Sequence, residues 1–191
     1  STKPIQKIED LKGKKIGAEG TVETWFVEAL GGTAVRFSLP EVYSMLERGL
    51  IDVIDFSWEA IIIFGIKDIT KYHVNAQTLN RGFVCAMNLD SWNKLPPDLQ
   101  KIFEQNIGVE RSRIIGEAMD KLMANMKQAL ADFNAKAGNP PIVEFSPEEA
   151  AKWKAVYKQI QDRWITEKEK AGLPAKAMME DFNKFLAEYS K

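Results

Sequence analysis

The chain has 191 residues, of which 45% are hydrophobic, and a formal net charge of −1. This composition allows one large globular domain or two small ones, and the balanced charge argues against a nucleic-acid binder or a polybasic membrane anchor. The single cysteine, Cys85, excludes an internal disulfide framework, and the single histidine, His73, leaves little room for metal or general-base chemistry. We therefore expect no metal and no cofactor.

No stretch reaches the roughly 18 uninterrupted apolar residues of a membrane helix. The opening residues, STKPIQKIED, lack the apolar central region of a signal peptide. If the protein is exported, we expect its signal to have been removed already.

The first 69 residues alternate between strand and helix patterns. Lys14–Ala18 predicts a short strand, followed by the turn Glu19–Thr21, in which Thr21 is the predicted N-cap of a helix. Gly31-Gly32 ends that helix, and the apolar run Thr33–Phe37 predicts the next strand.

The pattern then repeats twice more. Ser38 and Glu41 have the spacing of a capping box, Ile51–Phe56 predicts a third strand, and Ser57 opens another helix. Three strand–helix repeats with short connections indicate parallel βαβ units in an α/β domain. Because strand ends and helix N-termini then meet at one sheet edge, we expect a ligand site there.

The second half of the sequence is mainly helical. Two extended runs, Tyr72–Thr78 and Gly82–Asn88, lead into a helical pattern from Pro97 to about Ala137, which is about 60 Å long if unbroken. Gly108 and Gly116 are candidate bends. Beyond it we predict the short strand Ile142–Phe145, a second capping box at Ser146–Glu149, a helix ending near Gly172 and a last helix that buries four apolar side chains: Met178, Phe182, Phe185 and Leu186.

We expect three regions. Residues 1–71 form the α/β ligand-binding lobe, residues 72–96 contain crossing strands, and residues 97–191 contain the long helix and C-terminal helices that pack on the lobe.

Several side chains near the predicted sheet edge could bind a ligand. Glu19 and the helix N-termini at Thr21, Ser38 and Ser57 could contact its polar end. Phe56 and Trp58 could stack on its apolar part, although core packing remains open for both. Arg81 could bind a carboxylate through its planar fork, with a solvated loop arginine as the alternative.

With these residues in place, the sequence resembles the substrate-binding subunits of TRAP transporters (tripartite ATP-independent periplasmic transporters, the DctP family). The matching pieces lie between Ile8 and Gln100: IEDLKGKKIGAEG, EALGGTAVRFSLPEVYSMLERGLIDV, FSWEA, KYH and FVCAMNLDSWNKLPPDLQ. The resemblance implies a type II periplasmic binding protein, in which two lobes close on a small organic acid and deliver it to membrane subunits.

The resemblance also implies a first lobe before the DLKGKK segment, so the chain looks like the C-terminal part of such a protein. The expected partners are therefore an organic ligand, TRAP membrane subunits, and either the missing N-terminal lobe or a swapped copy, with no nucleic acid. We expect a periplasmic location, and association, swapping or weak ligand binding for this chain alone.

One position departs from the family. The strand after DLKGKK usually ends in an arginine that clamps the ligand carboxylate, and Gly17 occupies that position here. Arg81 or an arginine of the absent lobe could replace it, the ligand could be uncharged or less polar, or the function could have drifted. Leu39 and Phe56 match the family's pocket wall and are apolar, which favours a ligand with an apolar part.

Two other function classes remain open. A small α/β enzyme could use Asp52, Asp55 or Glu59, although strand-end and cap roles are the simpler interpretation of these acids; a raised carboxyl pKa in a cleft would favour catalysis. A helical interaction module built on Pro97–Lys191 would expose a broad apolar stripe along the long helix.

Overall fold

The computed structural model describes residues 1–76 and 83–189, and it contains two short parallel sheets surrounded by helices. The strands are β1 (Lys15–Ala18), β2 (Thr33–Arg36), β3 (Val74–Asn75) and β4 (Val143–Glu144). The helices are α1 (Thr21–Ala29), α2 (Val42–Glu47), α3 (Trp58–Ile63), α4 (Leu89–Asn93), α5 (Pro97–Asn106), α6 (Val109–Ala137), α7 (Pro147–Lys170) and α8 (Ala175–Tyr189). Short 3₁₀ turns occupy Ile8–Leu11, Leu39–Glu41 and Ile66–Asp68.

Strand β1 is the centre of the first sheet. It pairs in parallel with β2, with Ile16 opposite Ala34, and its other edge forms a parallel bridge between Ile16 and Val53. The predicted third strand, Ile51–Phe56, is therefore wrong in extent: it is reduced to one bridge. The Gly17 N–H donates to the Val53 carbonyl at 2.9 Å, and among the described residues no backbone hydrogen bond joins residues 54–56 to β1.

Two predicted helix caps differ from the structure. Gly20, not Thr21, is the N-cap residue of α1. Ser38 accepts no side-chain cap bond; its hydroxyl donates to the Glu41 carboxylate, and the turn Leu39–Glu41 precedes α2. Ser57 does stand at the N-cap of α3, as predicted. At Ser146 the Oγ accepts from the Glu149 N–H at 3.2 Å, which confirms the cap predicted for α7.

The single predicted long helix is two helices, α5 and α6. Gly108 separates them with φ +103°, a left-handed conformation that side chains other than glycine rarely adopt. Gly116 lies within α6 and does not interrupt it. Helix α6, with 29 residues, is about 44 Å long rather than 60 Å.

The second sheet joins the segment after Tyr72 to the segment before α7. The Val143 N–H donates to the His73 carbonyl at 2.8 Å, and β3 pairs with β4 in parallel. The extended run predicted at Gly82–Asn88 forms no strand over residues 83–88, its described part.

Two hydrophobic clusters hold the helices on the first sheet. One places Phe26 of α1 against Trp153 of α7, with ring centroids 5.4 Å apart. The other packs Leu130 of α6 against Ile61 of α3 and the buried residues of α2. The C-terminal part of α6 thus packs inward, while Ile115 and Leu122 in its first half are exposed.

Helix α8 differs from the prediction. Its predicted core side chains are about half exposed rather than buried: Met178, Phe182, Phe185 and Leu186. The reason is that α8 packs mainly on one neighbour, α7, and only its first residue, Ala175, is fully buried. The amphipathic pattern of α8 predicts an apolar face correctly, but the described part of this chain leaves that face largely uncovered.

His73 is buried at the junction of the second sheet with α6. Thr70 Oγ1 donates to the Ile66 carbonyl, so it accepts from His73 Nε2 at 2.9 Å. His73 Nδ1 then accepts from Asn134 Nδ2 at 3.1 Å. The ring is therefore held in its neutral form, and burial lowers the pKa of His73 to about 4.

His73 should make the stability depend on pH. Its pKa is lower in the folded chain than the usual 6.5, so the unfolded chain takes up a proton first and stability falls as pH drops below about 6.5. The loss in the free energy of unfolding should grow to about 2 kcal/mol by pH 5. Urea unfolding at pH 7 and pH 5, compared with His73→Gln, measures this difference.

Because the chain has one histidine, its imidazole proton resonance can be assigned without ambiguity. In the folded chain this resonance should titrate well below pH 5, and in urea near 6.5. Titration near 6.5 in the folded chain would contradict the buried neutral ring.

Trp153 should be the tryptophan on which the fold depends most. Its side chain is buried between Phe26 and Phe145, both of which stack on it, whereas Trp164 on the same helix is only half-buried. Trp153→Ala should cost about 3–5 kcal/mol in urea unfolding because it leaves a large cavity. Trp164→Ala is the matched control; equal losses for the two variants would contradict the packing described.

Candidate ligand-binding cleft

An open cleft of about 1010 Å³ lies between the carboxyl end of β1 and the N-terminal half of α6. Its polar and aromatic lining near the sheet comes from the β1 end and from the segment that joins Val53 to α3. On the other side, one face of α6 contributes residues spaced three or four apart. These α6 residues are Arg111, Ser112, Ile115, Gly116, Met119, Asp120 and Met123.

The floor of the cleft at β1 is apolar and filled. Gly17 is buried, and a Cβ atom at this position would lie 2.5 Å from Ile54 Cδ1 and 3.1 Å from Phe37 Cε1. Even an alanine here would have to displace the end of the Ile54 side chain and push the Phe37 ring back by a few tenths of an ångström. The position where the family resemblance implies an arginine is therefore occupied by aliphatic and aromatic neighbours.

Phe37 and Phe56 form the aromatic part of this floor. Their rings pack edge to face with centroids 5.8 Å apart, and Phe56 also contacts Phe64 at 6.1 Å. Trp58 follows Phe56 at the start of α3 and packs partly buried against the second hydrophobic cluster. We name the set Gly17, Phe37, Ile54 and Phe56 the apolar floor.

The structure brings together half of the site residues predicted from sequence. Glu19, Phe56, Ser57 and Trp58 line the cleft. Thr21, Ser38 and Leu39 are exposed residues outside its lining. Arg81 lies outside the described residues.

Sequence reasoning missed Phe37, Ile54 and Arg111 as cleft residues. Phe37 had a usable signal, because it follows β2 and the carboxyl ends of parallel strands meet at one edge. Arg111 had none, since its place depends on how α6 packs back across the sheet.

Most ionisable side chains that line the cleft are acidic. Glu19, Asp55 and Glu59 lie near the strand ends, and Glu59 Oε2 is buried without a hydrogen-bond partner in the described structure. Arg111 is the only arginine or lysine in the lining drawn from residues 1–76 and 83–189.

Asp52, a candidate catalytic acid, lies outside the cleft lining. Its Oδ2 accepts from the Lys15 N–H at 3.0 Å, and its Oδ1 pairs with the Lys3 ammonium at 3.0 Å. Burial opposes ionisation, but these contacts outweigh it and hold the pKa of Asp52 below its usual range. This carboxylate fixes the start of β1.

Within the described residues we looked for two further features, a metal site and a membrane-spanning helix. Among residues 1–76 and 83–189, no three His, Cys, Asp or Glu side chains are grouped so that they could hold a metal ion. No helix in the same ranges has both the length and the apolar character needed to cross a membrane.

The chain is similar to proteins that bind small solutes. Residues 1–168 match the family model "Bacterial extracellular solute-binding protein, family 7" (DctP). A monocarboxylate 2-oxoacid-binding periplasmic protein of Nostoc sp. is 25% identical over 176 residues, which cover 85% of this chain and 47% of that protein.

Two solved structures share the fold. A TRAP solute binding protein from a marine metagenome, specific for aromatic acid ligands and bound to 3-hydroxybenzoate, is 25% identical with a TM-score of 0.82, over 99% of this chain and 59% of that one. A TRAP solute binding protein of Rhodoferax ferrireducens with copurified benzoate is 24% identical, with a TM-score of 0.82 over 97% and 58%.

These matches confirm the predicted α/β fold of a periplasmic binding protein. The chain spans about half the length of the curated relatives it matches and somewhat more of the solved structures. Since the family model covers most of the chain, the protein belongs to family 7 of the bacterial extracellular solute-binding proteins, the DctP family.

Proposed function

We propose that this chain forms one side of the ligand cleft of a TRAP transporter's solute-binding protein. The cleft captures a small organic ligand that bears a carboxylate and an apolar part. The observation that carries this proposal is the open cleft of about 1010 Å³ at the strand ends, with its apolar floor. Clefts at this edge of a parallel sheet are common ligand sites.

The apolar floor supports the ligand class. Phe37, Ile54 and Phe56 offer a surface suited to an aliphatic or aromatic group, and Gly17 brings no charge to it. The two structural relatives described above hold benzoate and 3-hydroxybenzoate, which have this combination of a ring and a carboxylate. Arg81 stays a candidate contact for the carboxylate.

Binding accounts for the acidic residues better than catalysis does. Asp52 is held ionised by Lys3 and by the backbone of β1, so it is not poised for proton transfer. The lining contains one hydroxyl–imidazole pair, Thr70 and His73, but Thr70 Oγ1 donates its proton to the Ile66 carbonyl and accepts from His73 Nε2, so the ring is not placed to take a proton from this hydroxyl. We therefore propose a binding protein that is not an enzyme, and a periplasmic location in which it delivers its ligand to TRAP membrane subunits.

A second lobe would complete the cleft. Phe83 and Val84 are 84% and 91% exposed beside it, and Ile107, which links α5 to α6, and Ile115 of α6 are also exposed. Together with exposed apolar side chains of α5, these residues form an apolar face of the kind that marks a protein interface. We propose that an N-terminal lobe, or a swapped copy of this chain, covers this face.

The long helix argues against a helical interaction module as the main function. Its apolar stripe is divided: Leu130 is buried against the sheet domain, whereas Ile115 faces the cleft. An exposed stripe that lines a ligand cleft is better explained by the second lobe than by a separate binding partner.

A thermal-shift screen tests the ligand class. We expect monocarboxylates with an aromatic or branched apolar part to raise the melting temperature, because only the binding-competent folded state contacts them. Compact dicarboxylates should have little effect. If only small dicarboxylates, or no organic acids, stabilised the protein, the proposed ligand class would be wrong.

Analytical ultracentrifugation tests the uncovered face. We expect this chain to self-associate at tens of micromolar, and Phe83→Asp combined with Ile115→Asp to shift it towards monomer by placing charges in the apolar contact. Phe185→Asp on α8 is the matched control outside the cleft. A monodisperse wild-type monomer that binds ligand with native-like affinity would contradict the need for a second lobe.

A further inference from the structure

The floor and the opposite wall of the cleft differ in chemistry. The strand-end side offers the apolar floor together with three acidic side chains, Glu19, Asp55 and Glu59. The α6 side offers Arg111, the one arginine or lysine of the described lining, and one acid, Asp120, nine positions further along the helix. This division bears on how a ligand with one charged end and one apolar end is oriented.

Arg111 is available to bind an anion. Its Nη2 donates to the neutral Asn106 Oδ1 at 2.7 Å, and none of the described carboxylates lies within ion-pair distance of it, although the neighbouring Glu110 carboxylate is near enough to interact with its charge. Two positions along, Arg113 donates to Glu110 Oε1 at 2.7 Å and also pairs with Glu117, so its charge is neutralised. Arg113 is not part of the cleft lining.

The start of α6 adds to the positive potential around Arg111. Gly108, its N-cap residue, lines the cleft and provides no side-chain cap, so the first N–H groups of this 29-residue helix lack a side-chain acceptor there. The helix dipole places partial positive charge at this end. About two turns further along, Gly116 leaves open space, since an added Cβ would contact nothing within 4 Å.

We propose that Arg111 is the specificity-determining residue that binds the ligand carboxylate, an inference that rests on the proposed function. The apolar end of the ligand then lies on the apolar floor. The ligand therefore spans the cleft from β1 to α6. A planar guanidinium suits a carboxylate because it can donate two parallel hydrogen bonds. Selectivity follows from the two ends together: a ligand needs an apolar group for the floor and an anionic group for Arg111.

The test compares benzoate with benzamide, which has the same ring and no charge, by ligand-observed NMR titration of this chain. Arg111→Gln should weaken benzoate binding roughly fivefold to tenfold and leave benzamide binding unchanged. Phe37→Ala should weaken both ligands by a similar factor, since both place a ring on the floor. Arg113→Gln, the matched control on the same helix, should change neither.

A second measurement locates the ring directly. With the isoleucine Cδ1 methyl groups labelled, benzoate should show nuclear Overhauser contacts to Ile54 and shift its resonance. Loss of these contacts with Phe37→Ala would agree with a ring on the floor.

The outcomes separate the two proposals. If benzoate binds and Arg111→Gln behaves like Arg113→Gln, or weakens benzamide equally, Arg111 does not recognise the carboxylate and only this inference fails. If neither benzoate nor any other organic acid binds, the proposed function fails with it.

Discussion

The close approach of three backbone segments at Gly17 is the constraint on which the cleft depends. The strand β1 is paired on one side with β2, and the Gly17 N–H binds the Val53 carbonyl on the other. Because Gly17 has no side chain, Ile54 and Phe37 close over it from the two neighbouring segments. Their position in turn supports the Phe56 ring. One missing side chain thus sets both the geometry and the polarity of the floor.

The helices around the sheet hold this floor from behind. Helix α7 packs Trp153 against Phe26 of α1, while the end of α6 packs Leu130 into the cluster that contains Ile61. The two helices therefore support different sides of one sheet. The first half of α6 extends past this packing and becomes the opposite wall of the cleft, so a single helix contributes both to the core and to the site.

Hydrophobic period and capping residues were sufficient to predict the helices and strands whose limits are set by nearby residues. The order of β1, α1, β2 and α2 followed from the hydrophobic period, and the helix starts at Ser57 and Ser146 followed from capping residues. The two glycines of the long helical region show where such reasoning stops. Both predicted a bend, but only Gly108 adopts a left-handed conformation, after the extended residue Ile107, whereas Gly116 has helical neighbours on both sides.

The candidate site was less predictable because it depends on residues far apart in sequence. Glu19 and Phe56 could be placed at a strand edge from the βαβ pattern alone. Arg111 could not, since its position follows from the packing of α6 against α3. Likewise the period of α8 predicted an apolar face but not whether this chain would cover it.

The contacts between the beginning of the chain and α7 have a consequence for folding kinetics. The Ile8 N–H donates to Glu149 Oε2 at 2.9 Å, and Lys152 bridges Glu149 and Glu9 across the same long sequence interval. The first core is therefore closed by residues that leave the ribosome more than 140 positions later. A topology with such distant contacts forms slowly and only once α7 is present. The first hydrophobic cluster accordingly cannot close until α7 has been made and reaches α1, whereas most members of the second cluster lie between residues 35 and 69.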